Sequence, residues 1–136
     1  MKMRKIRILW LFLLVILLTS CIQKRTMTDM VFALSDDHLA VAPTPNELLV
    51  FQHTIQRLGC DQCRVKAYVI ITGEGHDCET LIIEFQTIGE AGSYYDLYKY
   101  SLEEKDKDYP MIRRRDQIVI LSNSEQAIKK ALGITS

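Results

Sequence analysis

The sequence lacks the short signatures that tie a chain to a particular chemistry. It has no glycine-rich phosphate loop, no paired-carboxylate pattern and no nucleophile elbow. It has no internal repeat, no low-complexity tract, and no second hydrophobic span after residue 18. Acidic and basic residues number 17 each, so the basic excess of a nucleic-acid binder is missing. The three histidines, His38, His53 and His76, fall on positions read as loop, helix and turn. No serine, cysteine or carboxylate stands at the spacing of a catalytic set with any of them, and they read as solvated side chains. Nothing in the sequence asks for a cofactor or a resident metal.

What is present is concentrated at the amino end. Lys2, Arg4, Lys5 and Arg7 precede an unbroken apolar run from Ile8 to Leu18. The basic residues hold the start of the chain at the anionic cytoplasmic face, and the apolar residues make the short hydrophobic core that a translocon accepts. Eleven residues rising 1.5 Å each span about 17 Å, short of the roughly 30 Å hydrocarbon core. A cleaved leader fits that length better than a spanning helix. The run ends in Leu18-Thr19-Ser20-Cys21.

Those four residues, placed at the end of the apolar core, resemble the lipobox of bacterial lipoprotein precursors. The resemblance implies that the Cys21 thiol is acylated with diacylglycerol, that a peptidase cuts just before it, and that the new amino group can be acylated too. It covers the signal region alone. An uncleaved anchor or an ordinary signal with a coincidental cysteine is the alternative, and both also carry the rest of the chain out of the cytoplasm. Two or three acyl chains, at about 0.8 kcal/mol per buried methylene, hold a protein on a bilayer for its working life. Ile22 follows the cysteine, without the aspartate that favours inner-membrane retention in the family, so an outer membrane is the expected destination in a Gram-negative cell.

Removing the leader changes the charge from which to reason. It takes away four of the 17 basic residues, leaving 13 against 17 acidic, a net of −4. The expected organisation is a signal peptide over 1–20, a lipidated end and tether over 21–43, and one small α+β domain over 44–136. In the tether Met27, Met30, Val31 and Leu34 fall at helical spacing, a weak indication of a short helix. The prolines at 43 and 45 break any continuation.

Beyond the tether the local signals are strong. Thr44-Pro45-Asn46-Glu47 is a capping box with proline at the first helical position, and Leu48, Phe51, Ile55 and Leu58 continue at spacings of a helical stripe until Gly59. Val65, Ala67, Val69 and Ile71 alternate with more polar residues, as do Leu81, Ile83 and Phe85, which predicts an antiparallel hairpin. Gly89 opens a second helix with an aromatic-rich side. Met111–Arg114 and Gln117–Leu121 read as two more strands, and the residues from Ser122 to Glu125 as a capping box leading a helix to Gly133. The order helix, strand, strand, helix, strand, strand, helix predicts an antiparallel sheet of about four strands with helices packed on one face.

Cys60, Cys63 and Cys78 remain after Cys21 is assigned. With His76 they have the composition of a zinc site, but a hairpin places Cys63 and Cys78 at opposite ends, roughly 25 to 30 Å apart at 3.3 Å per residue, and zinc ligands lie within about 2.3 Å of the metal. A local disulfide between Cys60 and Cys63 is the expected state. The alternative is a thiol/disulfide-active pair, as in thioredoxin-like proteins, although here the motif follows the negative end of a helix, where a thiolate is disfavoured. Tyr94, Tyr95, Tyr98 and Tyr100 wrap too far around a helix to be all core, and form a candidate surface for a protein partner. Arg113-Arg114-Arg115 reads as a solvated strand end that can also meet lipid headgroups or an acidic partner. These features together predict a lipid-anchored envelope protein with a non-enzymatic binding or assembly domain.

Overall fold

A computed structural model describes residues 25–34, 38–73 and 78–134. The leader, Cys21 and His76 lie outside the described residues. Among the described residues no helix is long and apolar enough to cross a membrane.

The two predicted hairpins form as β2 (Val65–Gly73) with β3 (Glu79–Phe85), and β4 (Met111–Arg115) with β5 (Ile118–Ser122). Strand β5 lies beside β3, with Ile120 opposite Ile82, which joins the hairpins into one sheet. A further strand, β1 (His38–Val41), adds to the outer edge of β2. The order is β1-β2-β3-β5-β4 and every neighbouring pair is antiparallel. The α+β class and the antiparallel sheet are as expected; the sheet has five strands where about four were predicted.

Among the described residues four α-helices cover the sheet, on both faces where one was predicted. On one face, α2 (Pro45–Arg57) and α3 (Ile88–Asp96) place Ile55, Ala91 and Tyr94 against Val65, Leu81, Ile83, Phe85 and Leu121. On the other, α1 (Met27–Leu34) and α4 (Glu125–Leu132) place Met30, Leu34, Ile128 and Ala131 against Val69, Ile71, Ile82 and Ile120. The reason lies in the central strands. Leu81-Ile82-Ile83 and Ile118-Val119-Ile120-Leu121 are apolar at consecutive positions, all of them buried, so neither side of the sheet can face water. Burying Ile82 on one side and Ile83 on the other, each fully, stabilises the fold by roughly 2 kcal/mol per side chain before entropy is counted.

The stretch 21–43, expected as a tether leading to a domain at 44, contributes α1 and β1 to this architecture. Met30 and Leu34 have no exposed surface. Strand β1 pairs its four residues with Ile70–Gly73 of β2. The predicted alternation along β2 is broken by a bulge between Val65 and Ala67. The extra residue turns Val65 and Tyr68 toward α2 and α3, while Val69 and Ile71 face α1 and α4.

The helix ends follow their capping residues. Thr44 accepts the Glu47 amide at 3.3 Å and Pro45 takes the first helical position of α2. Thr87, two residues before the predicted start, caps α3 in a reciprocal box with Glu90. The cap of α4 is Ser124, which accepts from the Ala127 amide. Ser122, expected in that role, turns inward to Thr80 at 2.9 Å. Gly133 ends α4 with a left-handed φ of 73°.

Candidate functional site

Two neighbourhoods bring chemistry-bearing side chains together. The first is the corner between α2 and β2. Helix α2 ends at Arg57, the chain turns through Leu58 and Gly59, whose φ of 121° suits only glycine, and it doubles back through Cys60-Asp61-Gln62-Cys63. The two cysteines are joined as a disulfide with their Cα atoms 5.3 Å apart. Both are buried. The Gln52 side-chain amide donates to the Cys63 carbonyl at 2.6 Å, and its oxygen accepts from the Val65 amide. Cys63 Sγ lies 3.3 Å from the Glu90 carbonyl oxygen, a contact that a reduced thiol would convert to a hydrogen bond. Next to it Arg64 Nε donates to Glu90 at 2.9 Å.

That carboxylate is the hub of the corner. Burial pushes the Glu90 pKa up, and the hydrogen bonds from the Arg64 and Thr87 side chains outweigh it, so the pKa ends below the ordinary carboxylate value. The corner therefore ties α2, β2 and α3 together. Buried sulfurs next to the carbonyl end of a helix suit a structural crosslink better than an exchanging pair, which needs an exposed, stabilised thiolate. Outside the corner an open hollow of about 710 Å³ is lined by Val50, His53, Gln56, Arg57, Gly59 and Asp61. His53 is exposed there. Cys78 sits at the far end of the β2–β3 hairpin from Cys63: Gly73 bonds the Cys78 carbonyl at one end, and Val65 pairs with Phe85 at the other.

The second neighbourhood holds the four tyrosines, which the structure divides. Tyr94 and Tyr98 are core residues, 4% and 5% exposed, and cannot contribute to a partner surface. Their rings continue a row from Phe85, with centroids 5.3 Å and then 6.0 Å apart. The Tyr98 hydroxyl donates to the Tyr109 carbonyl and accepts from the Tyr109 amide, both at 2.8 Å. Burial pushes both phenols, Tyr94 and Tyr98, above the usual tyrosine pKa.

Tyr95 and Tyr100 are the two that reach the surface. After α3 the chain makes a π-helical turn, Leu97–Ser101, closed by the Leu102 amide on the Leu97 carbonyl at 2.8 Å. The wider turn leaves Tyr100 72% exposed. Lys99 stands between the rings, its Nζ 3.0 Å from the Tyr95 hydroxyl, 5.3 Å from the Tyr95 ring centre and 5.5 Å from that of Tyr100. The hydrogen bond to Tyr95, with Tyr100 close by, pushes the Lys99 pKa up, so the ammonium stays charged. Sequence reasoning found the tyrosines and missed the lysine, because a π turn has no pattern in the residues that would move Lys99 between two rings.

The arginines of β4 divide as well. Arg114 lies beside Gly92 of α3, while Arg115, on the other face, donates from Nη1 to the Leu132 carbonyl at the end of α4 at 3.1 Å. Arg25, just before α1, donates to the Ala131 and Lys130 carbonyls of the same helix end. Among the described residues no group of three or more histidine, cysteine or acidic side chains is placed to hold a metal ion. No family model, no curated protein and no solved structure matches the chain.

Proposed function

We propose that this chain is a membrane-tethered lipoprotein of the bacterial envelope, whose small α+β domain is a non-enzymatic binding or assembly module. One observation carries the reading: a basic start, an apolar run of signal length, and Leu18-Thr19-Ser20-Cys21 at the end of that run. The domain follows closely, since α1 begins at Met27. A thioether-linked diacylglycerol on Cys21 makes the bilayer the first partner, and an envelope protein the second.

The surface offered to that protein is the Tyr95-Lys99-Tyr100 patch. Two rings that bury area at little entropic cost, with a fixed cation between them, suit a partner carrying carboxylates among apolar groups. Intact-mass analysis of the protein extracted from bacterial membranes tests the anchor. The expected mass is that of a chain starting at Cys21 with two or three acyl groups. A chain that keeps Met1 and carries no fatty mass overturns the reading. A photo-crosslinking residue at position 100 tests the surface in the same cells. A discrete protein adduct that disappears with Lys99→Ala is expected, and no adduct from position 100 overturns the assignment of the patch.

A further inference from the structure

The anchor and the fold together restrict which side of the domain meets the bilayer. We infer that the pole formed by the start of α1 and the end of α4 is a contact face for anionic lipid headgroups. The inference rests on Cys21 being the acylated residue. Three residues, 22–24, separate Cys21 from Arg25. Four backbone steps at full extension cover only about 14 Å. Arg25 is itself fixed on the domain by its bonds to the Ala131 and Lys130 carbonyls. The pole around Arg25 is therefore held within a short distance of the headgroups, close to the roughly 10 Å over which charges act at moderate salt.

The residues of that pole match the surface they would meet. Arg25 and Arg115 converge on the end of α4, and each retains N–H groups beyond those given to the helix carbonyls. Lys130 is exposed beside them. With Asp29, Phe32, Ala33, Leu132 and Gly133 these arginines line a cleft of about 510 Å³. Two large apolar residues stand out at its margins, Phe32 at 76% exposure and Ile134 at 54%. Cations for phosphate and an aromatic ring for the acyl boundary are the components of an interfacial contact. Among the described residues the opposing charges are Asp29, which Thr26 holds ionised as the cap of α1, and Asp116 in the β4–β5 turn.

The far end of the sheet carries an acidic excess. Arg115 pairs with Ile118 at this end of the sheet, while Met111 pairs with Ser122 at the other. Glu103, Glu104, Asp106 and Asp108 precede Met111, offset only in part by Lys105 and Lys107, which pair with Glu103 and Glu104, and Tyr109 reaches Glu79 at that far end at 3.1 Å. The mature chain, at a net −4 once residues 1–20 and their four basic residues are removed, thus turns a basic end toward the point where its anchor leaves. Neither the lipobox nor the sheet requires that arrangement.

The test uses the acylated mature protein purified from membranes. Its sequence holds one tryptophan, Trp10, which leaves with the leader, so Phe32→Trp and Ile134→Trp each give a single reporter. Tyr100→Trp, on the opposite sheet face, is the reference. In vesicles of brominated phosphatidylcholine with phosphatidylglycerol, tryptophans at 32 and 134 are expected to be quenched several-fold more than one at 100. Raising the salt until screening shortens to about 3 Å should remove most of that difference, and Arg115→Gln with Lys130→Gln should reduce it in low salt. Equal quenching at all three positions, or quenching that is the same without phosphatidylglycerol, overturns the inference. The mass of the same preparation keeps the two readings apart. Acylated protein without preferential quenching overturns only the contact face, whereas protein without acyl groups overturns the anchor.

Discussion

At the scale of single residues, the corner at Gly59 shows how a short motif takes its meaning from its surroundings. Closing a loop of this size in the unfolded chain predicts that Cys60→Ala with Cys63→Ala lowers stability by about 2 kcal/mol, read as a lower urea midpoint. Protein with the native cysteines should show the same loss on adding reductant. Gly59→Ala forces an L side chain into a backbone region that glycine alone tolerates, at a cost of about 1–2 kcal/mol. Glu90 gives a pH signature. Its pKa is lowered in the fold, so its contribution is present above the unfolded glutamate value and is lost as pH falls through the folded one. Glu90→Gln keeps a capping side chain and removes the charge that Arg64 holds. The variant should be less stable than the parent at neutral pH, and the difference should shrink in acid, measured as urea midpoints at pH 7 and below about pH 4. The cysteine pairing was legible in the sequence. The role of Glu90 was not, because the partner that fixes it is 26 residues away.

At the scale of elements, α1 is where sequence and structure diverge most. Its apolar spacing was visible, but eight residues between a polar lead-in and two prolines carry little local weight, and the helix exists because Met30 and Leu34 find a sheet face already prepared. Met30→Ala and Leu34→Ala should each cost about 2–5 kcal/mol by thermal or chemical unfolding. A true tether residue would cost almost nothing. Strand β1 was hidden for a related reason: four residues of ladder are specified by the partner strand rather than by their own alternation. The longer elements were readable because capping, turn and pattern agreed. The β2 bulge and the π turn were not, since both come from fitting one element against another.

For the whole molecule, two buried layers replace the single one that alternation suggested, and the consecutive apolar residues of β3 and β5 were the signal that outweighed it. With both faces of the sheet covered, the two candidate sites, a patch and a pole, lie on the surface. The Tyr98 hydroxyl bonds the Tyr109 backbone, the Tyr109 hydroxyl reaches Glu79 at the far end of the sheet, and Tyr94 packs beside Tyr98; burial raises the pKa of all three phenols. Groups raised in the fold leave stability intact below the unfolded value and erode it as pH climbs above. The domain should therefore lose stability above about pH 10, followed by circular dichroism, and Tyr109→Phe should reduce that loss while removing the hydroxyl bond to Glu79.

The clasp of Arg25 on the last turn of α4 also decides how the molecule responds to load. A pull exerted through the lead-in reaches Arg25 first, and its guanidinium passes the strain to the carbonyls of the carboxyl-terminal helix. Peeling β1 from the sheet would then require breaking this latch beforehand. A force applied at either end of the described chain, residue 25 or residue 134, is thus carried by one handle.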